Sequence, residues 1–221
     1  MSRSGVKLTD HMGDDLTVVN AARVSFGKKK TEFTDGDKKL IKYLADHNHW
    51  SPFGHCSLQF HIKAPVFVAR QLVKHQIGLT WNEISRRYVD YPPEFYEVDS
   101  WRGRAENKKQ GSDAENTIEW VSRSRRTGTL LLEVENIALK NYNLMIDAGV
   151  APEQARMILP QSMMTEWFWS GTLYAFARVC NLRCSSDAQL ETREVANQIA
   201  VECEKLFPVS WKALWKQNTN S

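Results

Sequence analysis

Long apolar runs are missing from this sequence. No stretch is long enough to cross a bilayer as a helix, so no membrane partner is expected. The N-terminus, Met1-Ser2-Arg3-Ser4-Gly5-Val6-Lys7, lacks an apolar core. It therefore does not read as a secretory signal, and the cytoplasm is the expected location. Cysteine is scarce, at Cys56, Cys180, Cys184 and Cys203, and with no export signal disulfides are not expected. Only Cys180 and Cys184 are close in sequence, and their spacing fits no zinc ribbon or finger. All four read as buried, small, apolar residues. An excess of one charge is also lacking: 29 basic against 26 acidic residues leave +3. That balance argues against a dedicated nucleic-acid binder but permits a local basic pocket for a small anion. Internal repeats and low-complexity segments are absent.

What is present is the composition of a globular protein, 42% hydrophobic and 25% charged. The spacing of apolar residues predicts helices over residues 14–25 and 35–46, the latter broken by Ser51-Pro52-Phe53-Gly54. Cys56, Leu58, Phe60 and Ile62 alternate with polar residues, the period of a strand with one buried face. Pro65 suits the first turn of a helix running to about Gln76. A further strand is expected at residues 87–89. Residues 91–112 form a polar excursion over the surface. A long helix is expected over 129–147, with Leu131, Val134, Ala138 and Met145 on one face and Gly149 as its stop. A short helix at 152–159, an aromatic strand at 163–169 and helices at 172–181, 187–206 and 210–215 complete the chain. The sum is a single α+β domain over residues 1–221, with helices packed on a small mixed or antiparallel sheet.

The densest polar cluster is Lys74-His75-Gln76-Ile77-Gly78-Leu79-Thr80-Trp81-Asn82-Glu83-Ile84-Ser85-Arg86-Arg87-Tyr88. It follows the apolar helix directly. Its donors can hold a phosphate and a planar heterocycle together, because arginine forks and backbone N–H groups both suit anionic oxygens. A solvated, charged turn capped by Asn82 and Ser85 explains the same pattern. Pattern alone leaves both readings open.

The cluster resembles the signature of the flavin-dependent thymidylate synthases. His75, Asn82, Glu83, Ser85, Arg87 and Tyr88 match it. Lys74 and Gln76 stand where the signature has arginine, and Thr80 takes the place of its first serine across one extra residue. Five further segments are similar to the family's other blocks, in the family's order: Asn20-Ala21-Ala22-Arg23-Val24-Ser25-Phe26, residues 47–55, residues 63–71, Ala155-Arg156-Met157-Ile158-Leu159-Pro160 and Asn181-Leu182-Arg183. In the block at 47–55, Gly54 replaces a usual glutamate. Residues 91–128 have no counterpart and read as an insertion.

The resemblance implies reductive methylation of dUMP to dTMP. Methylenetetrahydrofolate is the one-carbon donor, reduced FAD the hydride source, and NADPH the reductant of the flavin. It assigns Gln71, Lys74, Glu83, Ile84, Ser85, Arg86, Arg87, Arg156 and Arg183 to dUMP. Ser25, Ser51, Lys74, His75, Gln76, Asn82, Glu83, Thr172, Tyr174 and Arg178 are assigned to FAD. Arg183, Ser85 and His49 are the catalytic candidates. Arg183 stabilises charge on the uracil edge, Ser85 acts as a phosphate or base contact, and His49 orients a ligand or shuttles a proton. Without the resemblance, Arg183 reads as a cation complementing a helix C-terminus, and His47, His49 and His55 read as ordinary turn residues. Those histidines have no carboxylate or cysteine at suitable spacing, so no metal is expected.

The resemblance also implies a homotetramer with shared active sites. An interface would cover the outer face of the strand in which Trp167 and Trp169 alternate with Phe168. Two other functions compete. One is a relative that binds nucleotide and flavin but is catalytically weakened by Lys74, Gln76 and Gly54. The other is a module that binds single-stranded nucleic acid through residues 102–126, where Trp101 and Trp120 interleave with basic residues.

Overall fold

The computed structural model describes residues 2–89, 91–106 and 111–216. The insertion at 91–128 and the domain span 1–221 therefore include positions outside the described residues. The chain divides into two compact units. The first comprises residues 1–4, 63–71 and 83–166, the second 5–62, 72–82 and 167–221. The fold class is α+β, as the patterning predicts.

The second unit holds most of a four-stranded sheet in the order β1 (Gly5–Met12), β2 (Ser57–Pro65), β8 (Met164–Thr172), β3 (Leu79–Glu83). Leu58, Phe60 and Ile62 of β2 are buried at every second position. Burial of each such side chain contributes about 1.5–3 kcal/mol. Phe60 meets Phe176 edge-on at 5.0 Å, and Trp169 meets the same ring at 5.4 Å. Phe176 lies on α6 (Leu173–Arg183), whose N-cap Thr172 accepts from the Ala175 amide. Around this core sit α1 (Asp15–Arg23), α2 (Asp35–Asp46), α7 (Leu190–Leu206) and α8 (Pro208–Leu214).

Two carboxylates lock these helices. Asp15 accepts from the amides of Val209 and Ser210 at 2.9 and 2.8 Å, capping α8. Asp37 is fully buried and bonded to Arg23, Lys30 and Thr34. Burial by itself would raise its pKa, but hydrogen bonds from Lys30, Thr34 and Arg23 overrule that and hold it far below the ordinary carboxylate range.

The first unit contains α3 (Val66–Leu72), most of whose residues fall within it, and two antiparallel hairpins. These are β4 (Arg102–Arg104) with β5 (Ser112–Thr117), and β6 (Trp120–Ser122) with β7 (Arg125–Arg126). They are followed by α4 (Thr127–Asp147) and α5 (Pro152–Ala155). Gly149 ends the α4 segment with φ +82°, the left-handed stop that the sequence predicts.

Several expectations fail locally. Pro65 closes β2 and does not open a helix, and α3 starts at Val66. A strand end tolerates the missing N–H of proline. Helix α3 ends at Leu72 and not near Gln76: His75 N–H closes a turn on the Leu72 carbonyl at 3.0 Å, and Gly78 then turns the chain with φ +75°. No strand forms at residues 87–89: Tyr88 N–H closes on the Ser85 carbonyl as a turn. The strand lies earlier, as β3, where the Trp81 ring stacks on Trp167 at 4.3 Å. The excursion at 91–112 carries β4 and the start of β5. On α4 the buried face is Glu135, Ala138 and Tyr142, while Val134 is exposed. Glu135 is drawn inward by Ser162, whose hydroxyl donates to it at 2.7 Å.

Candidate active site

The signature cluster runs through both units, and each half makes its own local site. In the first unit, the chain leaves β3 with Ile84 N–H bonded to the Glu166 carbonyl at 2.9 Å. Glu83 Oε1 accepts from Thr165 Oγ1 at 2.6 Å, which fixes the direction of the carboxylate. Ser85 Oγ accepts from both the amide and Nε of Arg87, at 3.3 and 3.2 Å. That hydroxyl is an organiser of the turn. Arg86 is buried; its guanidinium donates to the Tyr91 carbonyl and lies over the Tyr91 ring at 4.7 Å.

These residues border a cavity of about 600 Å³. Glu83, Ile84, Arg86 and Arg156 all line it, together with Arg70, Tyr91 and Thr165. Lys63 also lines it but is engaged with both oxygens of Glu94 at 2.8 Å. Arg156 has its stem steadied by a bond from Nε to the Glu153 carbonyl at 3.3 Å. Glu94, paired with Lys63, and Glu166 also line it; its guanidinium groups and the oriented Glu83 carboxylate suit an anionic ligand that also carries an N–H donor. Ser85 and Arg87 sit in the adjoining turn. Gln71 lies beside Arg70 in sequence on α3 and is not among the lining residues.

In the second unit a cleft of about 180 Å³ is lined by Lys74, His75, Gln76 and Arg178, with Leu79, Val179 and Leu182 among its apolar walls. Arg183 Nε donates to His75 Nε2 at 3.0 Å. Burial lowers the pKa of His75, and the nearby Arg183 and Arg178 charges add to that. Burial likewise lowers that of Arg183. Thr172 and Tyr174 stand at the start of α6, Tyr174 near Trp50 at 6.3 Å. Asn82 is exposed on β3. Ser25 and Ser51 occupy 3-10 turns, Val24–Phe26 and Ser51–His55, and line neither cavity. His49 is exposed, edge-on to Tyr43 at 5.9 Å, and also lines neither.

Residues 7–209 match the model of a family described as "Thymidylate synthase complementing protein". The chain belongs to the flavin-dependent thymidylate synthases. It is 39% identical over 213 residues to a flavin-dependent thymidylate synthase of Thermus thermophilus, covering 96% of this chain and 76% of the relative. A synthase of Kosmotoga olearia is 38% identical, with 96% and 90% covered. Among solved structures, a UMP/dUMP methylase PolB from Streptomyces cacaoi bound with 5-Br dUMP superposes with a TM-score of 0.83 at 30% identity, covering 96% of this chain and 95% of that one. As a member of this family the chain is a flavin-dependent methyltransferase of thymidylate synthesis, with FAD as cofactor and folate and NADPH as co-substrates.

The donor set fits the cofactor. Lys74, Gln76 and Arg178 offer two cations and an amide to a pyrophosphate, and the apolar walls suit a ring edge. Sequence reasoning missed Thr165, Arg70 and Tyr91. Thr165 and Arg70 fall in segments that read as an aromatic strand and an apolar helix, and neither carries a polar cluster. Tyr91 opens a stretch read as surface excursion.

Proposed function

We propose that the cavity of the first unit takes dUMP and that the cleft of the second unit takes part of FAD. One observation carries this reading. The signature turn gathers Glu83, Ile84 and Arg86, with Arg156 from a distant segment, around one cavity whose donors and acceptor suit a uracil nucleotide. Arg156 and Arg87 hold phosphate, and the oriented Glu83 carboxylate accepts from the uracil N–H. Ile84 and Ser85 complete the contact. Arg86 is spent on Tyr91 and shapes the wall. Family resemblance assigns Gln71, Lys74 and Arg183 to the same nucleotide, Arg183 offsetting the charge that develops on the activated ring. It assigns Ser25, Ser51, Asn82, Glu83, Thr172 and Tyr174, beside the cleft residues, to FAD, and His49 to the ligand that stacks on the flavin. Bound reduced FAD supplies the hydride, NADPH restores it, and methylenetetrahydrofolate brings the one-carbon unit.

No thiol serves as nucleophile in this scheme. Burial pushes Cys56 up to about 12 and raises Cys180 and Cys203 as well. Cys184 is lowered by a hydrogen bond from Cys180, but it lines neither the cavity nor the cleft.

The reading extends to one functional domain over residues 1–221, cytoplasmic, assembled as a homotetramer. The exposed apolar side chains Val134, Ile137 and Leu144 of α4, and Phe168 of β8, support such an assembly. For the nucleic-acid alternative, Arg125 and Arg126 are paired with Glu133 and Glu119, which weakens the cationic face of that stretch.

Flavin and nucleotide binding test the proposal together. Purified protein is expected to be yellow, or to become so with added FAD, and dUMP is expected to perturb the flavin spectrum. Colourless protein that takes up neither ligand contradicts it.

A further inference from the structure

We propose that His75 is a positioning residue for Arg183: its imidazole accepts the Arg183 Nε–H and so aims the guanidinium. This rests on the assignment of Arg183 as the group that acts on the uracil ring.

The geometry allows one protonation pattern. An arginine Nε carries a hydrogen and no lone pair, so it can only donate. His75 Nε2, 3.0 Å away, must therefore present its lone pair. The imidazole is neutral and its proton sits on Nδ1. The surroundings maintain that state. Among the described residues, the charges acting on the ring are those of Arg183 and Arg178 from α6, and Lys74 lines the same cleft from the histidine's own turn. Among the described residues no carboxylate lines the cleft. A second proton would cost the Arg183 bond and place an imidazolium beside these charges.

The backbone fixes both partners. His75 N–H donates to the Leu72 carbonyl at 3.0 Å, and Arg183 closes the last turn of α6. Holding Nε restricts the rotamers open to the Arg183 side chain. A four-bond side chain otherwise loses rotamer freedom on every turnover. Pre-alignment of this kind is what positioning contributes to rate.

The pH direction follows. His75 has a folded pKa below that of a free histidine, so it stays neutral at neutral pH and accepts the bond. As pH falls through that depressed value the ring protonates, and the bond and the aim of Arg183 are lost. Activity is therefore expected to have an acid limb that belongs to His75. Leucine at this position removes the acceptor at every pH. Glutamine places an amide oxygen near the Nε2 position and does not titrate.

The test has a structural and a kinetic arm. In protein labelled with ¹⁵N-histidine and free of flavin, the His75 ring is expected to show an unprotonated Nε2 and a protonated Nδ1 at neutral pH. Its pKa is expected to rise in Arg183→Met. Protonated Nε2 at neutral pH, or a titration unmoved by Arg183→Met, overturns the proposal. Kinetically, His75→Leu is expected to lower kcat by ~10–100-fold at saturating FAD and dUMP. His75→Gln is expected to restore most of kcat and to lose the acid limb. Equal kcat in His75→Leu and wild type, or an acid limb that persists in His75→Gln, also overturns it. Wild-type protein that binds neither FAD nor dUMP would sink the functional reading instead, and the NMR arm still reports on the bond itself.

Discussion

Glu83 accepts from the hydroxyl of Thr165, which is buried and 2.6 Å away. Valine is nearly the same shape as threonine and lacks the donor. Thr165→Val is expected to raise KM for dUMP severalfold with a smaller change in kcat, and to cost about 1 kcal/mol of stability. Thr165→Ser is expected to recover the wild-type KM. Steady-state kinetics with varied dUMP check this, and an unchanged KM in the valine variant sinks the role given to Glu83. The signature residues themselves were legible from sequence because they are polar side chains crowded into one turn. Thr165 was not, since a threonine between apolar residues of a strand has no pattern of its own. The His75–Arg183 bond joins positions 108 apart in sequence, a pairing that no local spacing encodes.

At the scale of elements, α1 and α2 are tied through the buried Asp37, which faces Arg23 at 3.0 Å and also meets Lys30. Both cations are partly exposed, so the pair is softened by solvent, but the anion itself is not. Removing its charge leaves two cations without their partner. Asp37→Asn is expected to cost about 3 kcal/mol. The depressed pKa gives the pH sign. The contribution is fully present above the pKa of an unfolded aspartate and is lost as pH falls below it. Wild type is expected to lose stability on acidification through the carboxylate range, and the variant to lose less. Denaturant midpoints measured across that range check it; parallel curves for the two proteins contradict the assignment. Element legibility follows similar lines. The bounds of α2 emerged from periodicity, and β2 from strict alternation. The strand β3 was hidden because its register depends on Trp81 stacking on Trp167 and on the close approach at Gly171. There a Cβ would lie 2.5 Å from the Gly78 carbonyl oxygen. That constraint comes from a neighbouring strand, not from the segment's own sequence.

For the molecule as a whole, the order of helical and strand patterns gave the class, α+β, and the resemblance of its motifs to known blocks gave the family. The division into two units was not legible. Each is assembled from three separate stretches of chain, and periodicity carries no information about which stretches pack together. The exposed apolar side of α4 was likewise read as inward, because Val134 and Ala138 look equivalent on a helical wheel until Glu135 is seen bonded to Ser162.

Release of tritium from 5-tritiated dUMP tests the central claim most directly. With FAD, methylenetetrahydrofolate and NADPH present, wild-type protein is expected to release tritium and form dTMP. Arg183→Ala is expected to stay folded and release none above background. Wild-type protein that binds flavin yet releases no tritium would identify a weakened relative, and normal turnover in Arg183→Ala would contradict the role on which the mechanism depends.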